Sequence, residues 1–229
     1  LNSAFAVNPN ITDEEGFTAD IGFRGNYKNT FSYDLGAFAL FYNGRIGFIQ
    51  KAFDDGRVIS ERGNVGDARL FGIESLVDFN VKKILKMDND FSFNYFINAS
   101  FISSEYTQSQ QSGVEGNQVE FVPDVNIKTG LRFGYKNLLA NVQYSYLASQ
   151  FTDATNSQDS NLSGVIGAIP QYDIMDVSLS YTYKRFKLET GINNLLDETY
   201  FTRRATGYPG PGIIPSAPRN YYATFQIKL

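Results

Sequence analysis

The sequence has no cysteine, no histidine and no tryptophan. Absence of cysteine excludes disulfides and thiolate nucleophiles, and absence of both Cys and His removes the usual zinc-ligand sets. Hydrolysis through a His-activated serine or cysteine is closed to these 229 residues, so no catalytic residue is assigned. No stretch approaches the roughly 18–20 consecutive apolar residues of a membrane helix, although 42% of the chain is hydrophobic. Basic charge is in deficit: 20 Lys and Arg stand against 24 Asp and Glu, a net charge of −4 that excludes a broad basic surface for nucleic acid. No charged and then apolar leader opens the chain at Leu1, so the sequence is read as mature or as a piece of a longer one.

What is abundant is aromatic and glycine: 20 Phe, 15 Tyr and 20 Gly, the composition of an all-β protein. The apolar residues are laid out with period two. From Phe17 to Tyr27 the odd positions are apolar or Gly, and the even ones are polar apart from Gly22. After the three-residue break at 28–30, Phe31, Tyr33, Leu35, Ala37, Ala39 and Phe41 share one face. Folding this pair about its break sets Tyr27 opposite Phe31, Gly25 opposite Tyr33, Phe23 opposite Leu35, Ile21 opposite Ala37 and Arg24 opposite Asp34. The same construction pairs the strand ending at Tyr135 with that starting at Leu138, and the strand ending at Tyr183 with that starting at Phe186. Alternating strands are also read around Phe71–Phe79 and Phe91–Phe101, and at the end of the chain from Asn220 to Leu229. The total is about nine strands.

The connections alternate in length. Short ones fall at 28–30, 136–137 and 184–185, with a medium one near 82–90. Long polar or Gly/Pro-rich ones fall near 44–65, 105–123, 152–171 and 201–219. Short turns at one end and long loops at the other are the pattern of a transmembrane antiparallel β-barrel. The apolar faces carry almost no charge, while the opposite faces carry Asp20, Arg24, Asp34, Glu74, Asp78, Lys128, Arg132, Lys187 and Glu189. A dry sandwich core could not hold that set; a wet or plugged lumen could. The competing reading is a large soluble sheet with one solvated face. An odd strand count puts the two chain ends on opposite sides of the membrane. Bacterial barrels close with an even number, so an upstream portion is expected beyond this sequence.

The string Gly191-Ile192-Asn193-Asn194-Leu195-Leu196-Asp197-Glu198-Thr199-Tyr200 resembles the hallmark before the last extracellular loop of TonB-dependent receptors. The stretch through Pro218-Arg219-Asn220-Tyr221 and the closing amphipathic strand match that family too, although the family ends on Phe or Trp and this chain on Leu229. Further echoes are Asn8-Pro9-Asn10 with Glu14-Glu15, Asn64-Val65-Gly66-Asp67-Ala68 with Gly72-Ile73-Glu74, and Phe151-Thr152-Asp153-Ala154-Thr155-Asn156. Together they resemble the ferric dicitrate receptor branch. The resemblance implies that residues 1–229 are the C-terminal part, about nine strands, of a barrel of about 22 strands whose plug is not in this sequence. It implies outer-membrane uptake of a ferric chelate in a Gram-negative bacterium, energised by the TonB-ExbB-ExbD complex through the missing N-terminal part. The ferric chelate is cargo; no resident cofactor or metal is implied. The alternatives are a passive porin or a TonB-dependent carbohydrate receptor.

The motif residues Gly191, Asn194, Leu195, Asp197 and Tyr200 carry the resemblance. The ligand-binding candidates are Arg203, Arg204 and Arg219, with Gln150 and Asn156 at a strand–loop junction. The last loop holds four of the seven prolines and no acid after Glu198, so restrained guanidiniums there could grip a carboxylate-rich anion. The competing reading has these arginines on lipopolysaccharide phosphates, on neighbouring acids or in water. Asp54-Asp55 is a weaker candidate as a calcium pair, since adjacent acids in a loop are usually turn residues. Gly207-Tyr208-Pro209-Gly210-Pro211-Gly212 lacks the Lys-Ser/Thr of a phosphate loop.

Overall fold

The computed structural model describes residues 5–52, 58–87, 90–162, 164–205 and 212–228. The Asp54-Asp55 pair, residues 207–211 and Leu229 lie outside them. The elements in chain order are β1 (Phe5–Val7), β2 (Glu15–Tyr27), β3 (Phe31–Ala52), β4 (Val58–Asn80), α1 (Val81–Ile84), β5 (Phe91–Gln108), β6 (Val125–Tyr135), β7 (Leu138–Leu147), β8 (Tyr172–Tyr183), β9 (Phe186–Asn193), β10 (Phe201–Ala205), β11 (Gly212–Pro215) and β12 (Asn220–Ile227). Nine of them form one antiparallel meander in the order β12-β9-β8-β7-β6-β5-β4-β3-β2. The sheet is an open sector whose outermost strands are β2 and β12.

The registers read from the breaks are those observed. Tyr27 pairs Phe31, Gly25 pairs Tyr33, Ile21 pairs Ala37 and Arg24 pairs Asp34. The Arg24–Asp34 ion pair closes at 2.8 Å. Tyr33 lays its ring where a side chain on Gly25 would stand. The two-residue turns join Tyr135 to Leu138 and Tyr183 to Phe186, with Lys136 and Lys184 each at φ +51°. The medium turn is α1, whose first turn Asn80 caps by accepting the Lys83 amide at 3.0 Å.

The two faces of the sheet answer to different solvents. Phe17, Ile21, Phe23, Ile73, Tyr221 and Phe225 stand exposed on the apolar face, a contiguous apolar surface far beyond that of a soluble monomer. Rings pack from strand to strand near the turns: Tyr27–Phe31 at 5.6 Å, Phe31–Phe79 at 5.9 Å and Phe79–Tyr95 at 6.1 Å. The opposite, polar face carries cross-strand pairs, among them Arg132–Asp78 at 2.9 Å and Asn94–Asp78 at 3.0 Å. No helix of the described residues is long and apolar enough to cross a membrane; strands this long cross in its place.

The expected long loop near 44–65 is corrected. β3 and β4 run on as one hairpin to Ala52 and from Val58, strands of 22 and 23 residues. The register shifts between Tyr42 and Arg45 and again between Arg45 and Ile46. These bulges, with Gly44 at φ +60°, reset the two-residue alternation, so the extension does not read as strand. Residues 8–14 cross this hairpin, because β1 pairs with β4 whereas β2 pairs with β3. Asn64 fastens the crossing: it accepts from the Thr12 amide at 2.8 Å and donates to Gly44 O at 2.6 Å.

The deep core sits at the loop end, around Ile49, Val65, Ala68, Leu70, Tyr106, Val114, Val119 and Ala154. Loops 109–124 and 148–171 fold onto the polar face there, with Leu40 and Tyr42 beneath them. In the strands, by contrast, a charge on the apolar face should meet lipid. Ile73→Lys is expected to destabilise the membrane-embedded protein by about 2–4 kcal/mol, read by urea unfolding in lipid vesicles. Ser100→Lys, on the other face, should leave stability nearly unchanged.

Candidate functional site

The loop end is built from four joints, and the sequence candidates lie in three of them. The first joint is the 191–200 string. A Cβ on Gly191 would collide with the Tyr222 ring, so only glycine lets β12 close against β9 here. Asn194 follows at φ +53° with 3% exposure. Its amide group is fully used: Nδ2 donates to Glu198 O at 2.9 Å and Ala217 O at 3.5 Å, and Oδ1 accepts from Glu198 N at 2.9 Å. Its backbone N–H donates to Asp176 Oδ1 at 2.9 Å, and the Leu195 N–H to Met175 O at 2.6 Å. Asp197, at φ +59°, accepts the Arg219 amide at 3.2 Å. Tyr200 packs on Tyr172 with ring centres 4.6 Å apart. The string ties the two ends of the last loop together.

Arg219 belongs to that tie. Its Nε donates to Leu195 O at 3.1 Å and its guanidinium lies 3.9 Å from the Asp197 carboxylate. Arg203 and Arg204 are adjacent on β10, which pairs with β11, so alternation sends them to opposite faces. Arg204 turns inward and is consumed by the neighbouring loop: Nη2 donates to Ala168 O at 2.8 Å, and Nη1 to Gly164 O at 2.7 Å and Ser160 Oγ at 2.9 Å. Its guanidinium also lies 5.1 Å from the Phe201 ring centre, and burial lowers its pKa below the ordinary value. Arg203 is exposed. The structure therefore sends the three guanidiniums three ways and does not gather them into one anion clamp.

The third joint holds Gln150 and Asn156. Gln150 exchanges two backbone bonds with Ile169, at 3.1 and 2.8 Å, an isolated bridge that closes the neck of the 151–168 loop. Asn156, at φ +54°, imitates a strand partner with its side chain. Its Oδ1 accepts the Gln118 amide at 2.8 Å, and its Nδ2 donates to Gln118 O at 2.9 Å. It thereby locks loop 148–171 to loop 109–124.

The fourth joint has no counterpart among the sequence candidates. Glu120, 2% exposed, receives Arg45 Nη1 at 2.9 Å, the Tyr106 hydroxyl at 2.7 Å and the Phe48 amide at 3.2 Å. Arg45 also donates to the Tyr106 oxygen at 2.8 Å. A Cβ on Gly47 would strike the Glu120 carboxylate, so glycine makes room for the pair. Burial alone would lower the Arg45 pKa, yet the facing Glu120 charge and the Tyr106 oxygen leave it raised. Burial, reinforced by the Glu120 charge, pushes the Tyr106 hydroxyl well up. Nothing local signals this cluster: Arg45 and Glu120 lie 75 residues apart.

Beside it, Asp153 is fully buried. Thr155 donates to its Oδ1 through both amide and hydroxyl, whereas Oδ2 has no hydrogen-bond partner among the described residues. Burial raises the Asp153 pKa, opposed by the Thr155 bonds and aided by the Glu120 charge. Among the described residues no group of three His, Cys, Asp or Glu side chains is placed to hold a metal.

An antiparallel sector with one lipid-type face, one ion-paired face, tight turns at one end and interlocked loops at the other defines an outer-membrane β-barrel of the receptor type. A family model described as "TonB dependent receptor-like, beta-barrel" matches residues 1–195. The chain belongs to that family, one of outer-membrane receptors of Gram-negative bacteria and not of enzymes. Among solved structures it resembles the ferric citrate transporter FecA in the unliganded form, at 20% identity, with 92% of this chain and 30% of that one covered and a TM-score of 0.74. It also resembles the copper transporter OprC, at 14% identity, 96% and 32% coverage and a TM-score of 0.69. The ferric yersiniabactin uptake receptor FyuA from Yersinia pestis follows at 18% identity, 93% and 30% coverage and a TM-score of 0.68. The chain thus spans about 30% of the length of the solved structures it matches.

Two outcomes follow for the buried charges. Glu120→Ala strands Arg45 and Tyr106 and should loosen loop 109–124 by about 3 kcal/mol, read as lost amide-exchange protection in the full-length receptor. Asp153 has a folded pKa above its unfolded one. Its contribution is therefore present at acidic pH and is lost as pH rises through the folded value. The amide-exchange protection factor of the 151–157 segment, with the base-catalysed intrinsic rate divided out, should fall from acidic to neutral pH in the wild type and stay flat in Asp153→Asn.

Proposed function

We propose that this chain is a sector of a receptor that carries a ferric chelate across the outer membrane of a Gram-negative bacterium, with a ferric dicitrate-like anion as cargo. Membership of the TonB dependent receptor-like barrel family carries the uptake reading. The named functions of FecA and FyuA, both ferric-chelate proteins, favour iron. The energy would come from the TonB-ExbB-ExbD complex, engaged by a portion of the whole receptor other than residues 1–229, and lipopolysaccharide would surround the loop end. The chain would contribute the loop platform and one wall of the lumen. The domain is assigned as the C-terminal part of the barrel.

Within that platform the arginines divide their roles. Arg204, Arg219, Gln150 and Asn156 would hold loops in place, and Arg203 would offer its guanidinium to the anion. Copper, as in OprC, is the second reading of the cargo. It is less favoured because these residues offer no thiolate or imidazole and only two thioethers as copper ligands.

Uptake of radiolabelled ferric dicitrate by cells carrying the full-length receptor tests this. Arg203→Ala is expected to weaken uptake about tenfold, the loss of one charge-assisted contact, with unchanged surface expression. Unchanged uptake would remove Arg203 from the ligand site. Uptake that persists without TonB would sink the energised reading in favour of a passive pore.

A further inference from the structure

The three tight turns share a dipeptide that their backbone does not favour. Tyr27-Lys28, Tyr135-Lys136 and Tyr183-Lys184 each place the lysine at the left-handed position, with φ of +49°, +51° and +51°. Glycine or asparagine would take that conformation at lower cost. Each ammonium lies above the preceding tyrosine ring, at 5.3, 5.2 and 5.4 Å from its centre. Each of these tyrosines is exposed on the apolar face, and Tyr27 and Tyr135 pack against the rings of Phe31 and Phe91. Arg185 repeats the arrangement over Phe186 at 5.5 Å.

The charge at this end is one-sided. The four turns at 28–30, 81–90, 136–137 and 184–185 hold seven basic residues and two acids, in a chain whose total is −4. The medium turn joins the set: Lys83 of α1 donates to Lys28 O at 2.8 Å. The one ion pair resolved at a tight turn, Lys136–Asp90, is long at 3.8 Å and open to solvent. Lys28, Lys136 and Lys184 are exposed, so their ammonium groups stay accessible from the lipid boundary. An amphipathic ring at the lipid boundary with a cation just above it matches the depth of a phospholipid phosphate.

We propose that the turn end is a docking surface for anionic phospholipid headgroups, with Lys28, Lys136 and Lys184 as the phosphate contacts and Tyr27, Tyr135 and Tyr183 as their interfacial platforms. The site lies at the opposite end of the strands from the loop platform and does not depend on what the receptor transports. The anchor sets how deep each hairpin sits, and it would draw the unfolded strands to a negatively charged bilayer during insertion.

The test uses the full-length receptor, refolded from urea into phosphatidylethanolamine vesicles with and without phosphatidylglycerol. At low salt the wild type is expected to fold several-fold faster when phosphatidylglycerol is present, and high salt should abolish the difference. The triple variant Lys28→Gln, Lys136→Gln, Lys184→Gln should fold at the same rate in both vesicles, and the triple Arg variant should regain the preference. Native mass spectrometry of the folded proteins should show retained phosphatidylglycerol on the wild type and the Arg variant only. A salt-insensitive preference in the wild type, or an undiminished one in the Gln variant, overturns the proposal. Equal loss in the Gln and Arg variants also overturns it, since that outcome assigns the lysines to turn geometry alone. Normal uptake by the Gln variant would leave the transport reading intact.

Discussion

Hydrocarbon offers no partner to a peptide group, so every N–H and C=O that enters the bilayer must be paired by the strand beside it. That constraint organises the whole molecule. Continuous antiparallel ladders join β2 to β12 through each successive neighbour. Pairing then fixes side-chain direction, because alternate residues face opposite solvents. Phe23 and Ile73 can stand exposed on one face while Asp78 meets Arg132 and Asn94 on the other. Deep burial is not required for this arrangement, which explains why the buried core lies beyond the membrane band, at the loop end.

Outside the lipid the constraint relaxes, and side chains take over work done by backbone in the strands. Asn156 pairs with the Gln118 backbone as a strand would. Asn194 bridges Glu198 and Ala217, and Arg204 stitches the 160–168 segment to β10. These polar groups replace missing main-chain partners, so each is costly to remove and none is interchangeable with its neighbours. The Arg45–Glu120–Tyr106 cluster is the extreme case. It holds charge in a site that glycine at position 47 hollows out, and its value lies in fixing one arrangement of hairpin and loop.

Local physics made the membrane strands legible. The break at 28–30 alone dictates that Arg24 meets Asp34, because a hairpin counts outward from its turn. The same counting fails past Tyr42, where two bulges change the count and the β3–β4 extension passes for a loop. The short strands β1, β10 and β11 carry three to five residues each, too few to show an alternation. The loop joints were visible only as residue types. Arg204 and Asn156 stand out in sequence as polar residues in long loops. That their bonds run to carbonyls and amides up to 40 positions away depends on how loops pack, and no periodicity encodes that. Glu120 gave no sign at all, since its partner comes from a different hairpin.

The Asn194 tie has a consequence for how such a barrel can change over generations. It draws Glu198 and Ala217 to one side chain, so the segment between them is closed at its base like a purse on a string. Insertions or substitutions beyond that closure load the knot rather than the seam between β9 and β12. Selection can therefore rewrite the loop's outer residues while the closing strands keep their register. The invariant part of the loop would be its neck, and novelty would gather at its rim.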